Sequence, residues 1–318
     1  MFALCFIVTL SLALQVESQP GLGVPRDAMG QASFEAIGRL IDEGKLETAR
    51  RTLQDEVTGR QANYQTLFLQ ARILFAEKRY QESLKQLERS LALHRQDARV
   101  YLLAGMNWVI LERLDLARPF FEEAARLAPG DGLMHYHLGR YYYSAQRFAQ
   151  AEQSYRTALK LNPDSVKTYD NLALALEAQR KTDEAEECYR KAIELARLQK
   201  LTTEWPWLNL AKLLIEKDRH EESLALLDSA QQMNPQSAEV FYVSGKVLQK
   251  MGREAQAEAA LQRSVQNDAK FPDSHYLLGR IYLRQGRKSE SQREMEIFQG
   301  LKQASKPKGG VMVSGSGQ

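Results

Sequence analysis

The chain has 318 residues, 44% of them hydrophobic and 26% charged, with 43 Lys and Arg set against 40 Asp and Glu. The resulting net charge of +3, without a clustered basic stretch, argues against a dedicated nucleic-acid binder. Two cysteines, Cys5 and Cys188, one of them in the apolar amino-terminal run, cannot supply a disulfide framework.

Phe2 to Leu14 reads FALCFIVTLSLAL, shorter than the roughly 20 residues of a bilayer span. The run is expected to be the core of a signal peptide over residues 1–18, with Val16 and Ser18 small enough for the −3 and −1 positions of a cleavage site. No Lys or Arg precedes it, so the positive charge of the n-region falls to the amino terminus. Export to a periplasm or the exterior is therefore expected, with a cytoplasmic location as the alternative if the run is not a signal peptide. Residues 19–29, QPGLGVPRDAM, read as a linker.

From residue 30 a 34-residue beat begins. A small residue recurs at Ala71, Gly105, Gly139, Ala173, Ala211, Gly245 and Gly279, every step being 34 residues except the 38 from Ala173 to Ala211. A second small residue follows each beat by 12: Ser83, Ala117, Ala151, Ala185, Ser223, Ala257 and Ser291. Such self-similarity marks stacked supersecondary units, each touching its neighbours, and so one elongated domain.

Within one unit, Tyr169, Leu172, Ala173 and Leu176 share a helical face, and Ala185, Tyr189, Ala192 and Ile193 share a second. The polar stretch Gln179 to Asp183 separates the two helices. In other units this turn carries Gly44, Gly252 or Gly286, suited to a left-handed helix C-cap. Pro129, Pro163 and Pro235 follow second helices and stop them. Gly139 and Ala151 let two helices of one unit approach, and Ala158 admits the next unit. Trp108, Phe121, Tyr142, Tyr155, Trp207 and Leu227 fill the remaining space.

These residues carry a resemblance. His135, Leu138, Gly139, Tyr142, Ala151, Tyr155, Ala158 and Pro163 match the tetratricopeptide repeat pattern nearly position for position. Tyr101, Ala104, Gly105, Trp108, Ala117, Phe121, Ala124 and Pro129 match almost as well. The chain thus resembles exported bacterial proteins of that family. The resemblance implies an all-α fold: an α-solenoid, a right-handed superhelix of about eight helix–turn–helix units at 30–63, 64–97, 98–131, 132–165, 166–203, 204–237, 238–271 and 272–305. The first unit, with Ile37 and Glu56 at small-residue positions, and the last, with Phe298, are atypical, as capping requires. Four inserted residues around Leu198 to Trp205 lengthen either the second helix of the fifth unit or its following loop. Pro206 suits the first turn of the next helix. Residues 306–318, rich in Gly and Ser, read as a disordered tail.

Chemistry is sparse. No phosphate-binding loop, dinucleotide fingerprint or HExxH is present, so no cofactor, no metal and no enzymatic activity are expected. His135 and His137 are two apart on a helix and diverge. What the resemblance offers instead is a concave groove lined by positions 2, 5, 9 and 12 of the first helices, which in the family holds peptides or partner helices. Position 9 supplies Arg72, Arg140, Lys212, Lys246 and Arg280. Position 5 supplies Tyr136, Tyr242 and Tyr276, position 6 supplies Asn171 and Asn209, and position 2 supplies Trp205. Cations and tyrosines in that arrangement suit an acidic or C-terminal peptide. The lysine–asparagine clamp that some family members use on cytosolic chaperone tails is not assembled by any three consecutive units. The expected function is a non-enzymatic scaffold of the cell envelope that binds a peptide or partner protein. The alternative is a carbohydrate- or cell-wall-associated module in which the groove aromatics stack on sugars.

Overall fold

The computed structural model describes residues 30–58 and 61–304, and among these the structure is all-α, sixteen helices with no strand. The expected signal peptide, linker and tail at residues 1–18, 19–29 and 306–318 lie outside the described residues. The helices fall two to each 34-residue repeat. In order they are α1 Gln31–Asp42, α2 Leu46–Val57, α3 Tyr64–Ala76, α4 Tyr80–Leu93, α5 Ala98–Ile110, α6 Leu114–Leu127, α7 Gly132–Ser144, α8 Phe148–Leu161 and α9 Val166–Ala178. They continue as α10 Thr182–Leu198, α11 Trp205–Glu216, α12 His220–Met233, α13 Ala238–Lys250, α14 Glu254–Asn267, α15 Pro272–Arg284 and α16 Lys288–Ala304. The chain divides into two compact units, 1–179 and 180–318, with the boundary in the turn of the fifth repeat.

In the first unit, α3 packs on α4, α5 on α6 and α7 on α8, while the first helices α1, α3, α5, α7 and α9 lie side by side. In the second, α11 packs on α12, α13 on α14 and α15 on α16, with α11, α13 and α15 adjacent. Each unit is therefore a solenoid of stacked helical hairpins.

The small residues of the beat sit where the two helices of a hairpin cross. A Cβ at Gly139 would lie 2.6 Å from Cε1 of Tyr155, and one at Gly245 would lie 2.6 Å from Cγ of Leu261. Where serine occupies the second small position, it turns the close approach into a bond. The hydroxyls of Ser83, Ser223 and Ser291 donate to the carbonyls of Ala71, Ala211 and Gly279 at 2.8–2.9 Å. Phe121, Tyr155, Trp207 and Leu227 are fully buried and Tyr142 nearly so, whereas Trp108 is half-exposed. Each such buried side chain contributes on the order of 1.5–3 kcal/mol.

Five of the eight first helices open on side-chain caps. Asn63 and Thr66 form a reciprocal capping box, and Asp97, Asp131, Ser165 and Ser237 each accept from a first-turn amide. All eight intra-repeat turns share one backbone conformation. Gly44, Gly252 and Gly286 have φ of 73–76°, as expected from sequence. Lys78, Glu112, Gln146, Arg180 and Asp218, at the equivalent positions, adopt the same left-handed region at 56–63°. Paired bonds close the turns: Arg147 N–H donates to the Tyr142 carbonyl at 2.8 Å and Gln146 N–H to that of Tyr143 at 2.9 Å. In these eight turns the residue after the left-handed position is always basic, from Lys45 and Arg79 to Arg253 and Arg287.

Candidate partner-binding face

The expected site residues all lie on or beside first helices, but they are not presented alike. In the first unit, Arg72 on α3 is 6% exposed, and its Nη2 donates to Oδ1 of Asp42 at 2.6 Å. Burial pushes its pKa down and Asp42 opposes the shift. Gly38 leaves the space it occupies, since a Cβ there would lie 3.0 Å from Nη1 of Arg72. Arg140 on α7 is likewise buried, with its guanidinium 5.8 Å from the ring of buried Tyr136 and with buried Asp170 of α9 close enough to bear on both Tyr136 and Tyr155. Asn171 is half-buried and spends its amide on the Lys167 carbonyl of its own helix. Arg72, Arg140 and Tyr136 are thus packed into the floor of this face. The expectation that five cations line one open level does not describe these two arginines. Arg72 is drawn in by Asp42 of the neighbouring first helix, and Arg140 packs over the ring of Tyr136.

The second unit is more open. Asn209 is buried and Trp205 half-buried on α11. Nζ of Lys212 pairs with Glu239 Oε1 of α13 at 2.6 Å. Tyr242 is half-buried, with its ring 5.3 Å from that of Phe271, and burial, then Asp273 and Glu239, raise its pKa. Lys246 on α13 is exposed. On α15, Tyr276 is 38% exposed and stands 5.2 Å from Phe298, while exposed Arg280 lies 5.7 Å over its ring. Tyr276 and Arg280 form a tyrosine–cation contact, and Tyr242 and Lys246 hold the same spacing on the adjacent first helix.

Sequence reasoning passed over Arg99. Its guanidinium lies 5.0 Å from the Phe34 ring and 5.6 Å from that of Phe68, two position-5 phenylalanines stacked at 6.2 Å, while its own helix cap Asp97 holds it. The recurrence of Phe34 and Phe68 at 34 residues, with Arg99 at position 2, was the available signal. The histidines behave as structural residues. His135 Nε2 donates to the Pro129 carbonyl at 3.1 Å, and burial, then Arg140 and Lys167, push His137 down to about 3, so its ring stays neutral. Among the described residues no group of three or more His, Cys, Asp or Glu is placed to hold a metal, and no helix is long and apolar enough to cross a membrane.

Stacked helical hairpins with first helices side by side and cations on one face define an α-solenoid of the scaffold class. The tetratricopeptide repeat profile matches residues 39–98, 68–132, 136–200, 171–238 and 242–291. The chain belongs to the tetratricopeptide repeat family. It is 22% identical over 178 residues to anaphase-promoting complex subunit 3 of Schizosaccharomyces pombe, covering 56% of this chain and 26% of that protein. It is 26% identical over 192 residues to the human protein O-mannosyl-transferase TMTC3, covering 55% and 20%. The chain thus spans only a fifth to a quarter of these relatives. A chain of the crystallised APC/C hetero-tetramer Cut9-Hcn1 shares the fold at a TM-score of 0.66 and 14% identity, over 80% of this chain and 49% of that one. The fold is that of protein-binding scaffolds and is typically non-catalytic.

Proposed function

We propose that the protein is a non-enzymatic scaffold that binds an acidic or C-terminal peptide segment of a partner protein on the first-helix face of its second unit. The observation that supports this most is the open pair Tyr276 and Arg280, 5.7 Å apart and both exposed, with half-buried Tyr242 and exposed Lys246 at the same positions of the preceding first helix. An anionic segment lying along α13 and α15 meets two cations by charge-assisted bonds and two rings by apolar contact. Lys212, already paired with Glu239 of α13, does not select the ligand. The apolar run at 2–14 supports a place in the cell envelope or outside the cell. A cross-linked pull-down from envelope extract tests both parts. A partner held by the full chain and lost from the Lys246→Glu/Arg280→Glu variant supports the face, and equal capture by both rejects it.

A further inference from the structure

The four-residue insertion builds a surface that the partner-binding face does not use. It lengthens α10 to 17 residues, against 14 in α6 and α8. The helix then closes on a left-handed Lys200 at φ 53°, with Lys200 N–H donating to the Arg197 carbonyl at 3.1 Å and Leu201 N–H to that of Ala196 at 2.9 Å. This tight turn fixes Leu198 and Leu201 outward, 70% and 41% exposed, and Leu198 is the most exposed large apolar side chain among the described residues. Arg197 and Lys200, both exposed, flank them, and residues 195–203 contain no acid. The acids that flank the segment in sequence are occupied: Glu194 pairs with Lys191 at 2.9 Å, and buried Glu204 accepts from Asn234 at 2.9 Å. In a chain whose charges almost cancel, this tip is locally cationic and apolar together. Leucines on a tight turn beside Lys200 and beside Arg197, whose guanidinium lies 5.9 Å from the Trp207 ring, match a surface that is anionic outside and apolar just beneath, where contact needs depth and charge but no shaped pocket.

We propose that the Leu198–Leu201 tip docks on an anionic lipid surface, independently of the partner-binding face. Hydrogen exchange of the full chain, with and without vesicles, tests this region by region. With vesicles containing phosphatidylglycerol, amides of 196–205 are expected to exchange at least threefold more slowly. Pure phosphatidylcholine vesicles should leave them unchanged, and so should the anionic vesicles when the chain carries Leu198→Asp/Leu201→Asp. Both leucines are exposed, so this variant should keep its helical circular dichroism. Protection confined to residues 1–29, no slowing at 196–205, or slowing that survives in the aspartate variant overturns the proposal. Capture of a partner protein by the tip without any lipid effect overturns it as well.

Discussion

Gly139 and Tyr155 meet so closely that no side chain fits between them: a Cβ at Gly139 would stand 2.6 Å from Cε1 and 2.7 Å from Cδ1 of a fully buried ring. Replacing this glycine with alanine gains roughly 1 kcal/mol of helix propensity but forces a ring that the core holds in place to move. Overpacking of this kind costs roughly 1–3 kcal/mol. Gly139→Ala is therefore expected to lower the urea midpoint followed by circular dichroism. Gly279→Ala, which meets flexible Met295 at 3.2 Å, should leave the midpoint nearly unchanged. Equal losses at the two sites would show that the crossing is not the tight point.

The five left-handed turns within repeats that lack glycine are a second point of stored cost. Gln146 holds φ 58° and Gly252 holds φ 73° at equivalent positions. A side chain there is disfavoured by about 1 kcal/mol, a penalty that glycine escapes. Gln146→Gly should thus stabilise by up to about 1 kcal/mol, and Gly252→Ala should destabilise by a similar amount. Thermal melts of the two variants, run side by side, should move in opposite directions.

Much of the fold was legible because a solenoid is built from local contacts. The small residues of the beat, the polar turn at 179–183 and the stop after each second helix all act within one repeat, so 34 residues of sequence carry their own packing rule. The left-handed conformation at Lys78, Glu112, Gln146, Arg180 and Asp218 was not legible because it is imposed by the paired bonds that close the helix and by the helix that follows, not by the residue itself. The face was only half legible for a related reason. Whether a position-9 cation is open depends on the residue facing it from a neighbouring first helix. Asp42 faces Arg72 and Glu239 faces Lys212, pairings that no single repeat contains.

Glu186 is the hub of an ion network in the second unit. It bonds Lys217 at 2.8 Å, Arg219 at 2.7 Å and Arg190 at 2.8 Å. Burial alone would raise its pKa, but hydrogen bonds from Lys217, Arg190 and Arg219 outweigh that and bring it down to about 2. A folded-state pKa below the unfolded one gives stability that is present above the unfolded value, about 4.3, and is lost as pH falls through the folded value. Glu186→Gln should accordingly be less stable than the natural chain at pH 7, and the gap should narrow between pH 5 and pH 2. Chemical denaturation across that window measures it, and a gap independent of pH would assign the loss to packing.

The Arg72–Asp42 pair is asymmetric, with Arg72 6% exposed and Asp42 36% exposed. Removing the acid strands a buried guanidinium, while removing the arginine leaves a carboxylate that water can solvate. Asp42→Asn is therefore expected to cost about 1–3 kcal/mol, reduced by the solvent at Asp42, and Arg72→Met to cost less. Urea titration of both single variants and the double variant checks this, since the double should recover part of the loss seen in Asp42→Asn.

On the open face, ring and cation should separate by their dependence on salt. Exposed charges are screened within about 8 Å at physiological ionic strength, whereas apolar contact with Tyr276 is not. Once a partner segment is in hand, Arg280→Glu should weaken its binding about tenfold or more at low salt and much less at 0.5 M salt. Tyr276→Ala should weaken it by a similar factor at both. Arg140→Met, on a residue 7% exposed in the floor, should change stability more than affinity. Calorimetric titration at two salt concentrations reads all three variants. If Tyr276→Ala abolishes binding while Arg280→Glu has no effect at either salt, the face recognises an uncharged ligand by stacking, which is the behaviour of a sugar-binding surface.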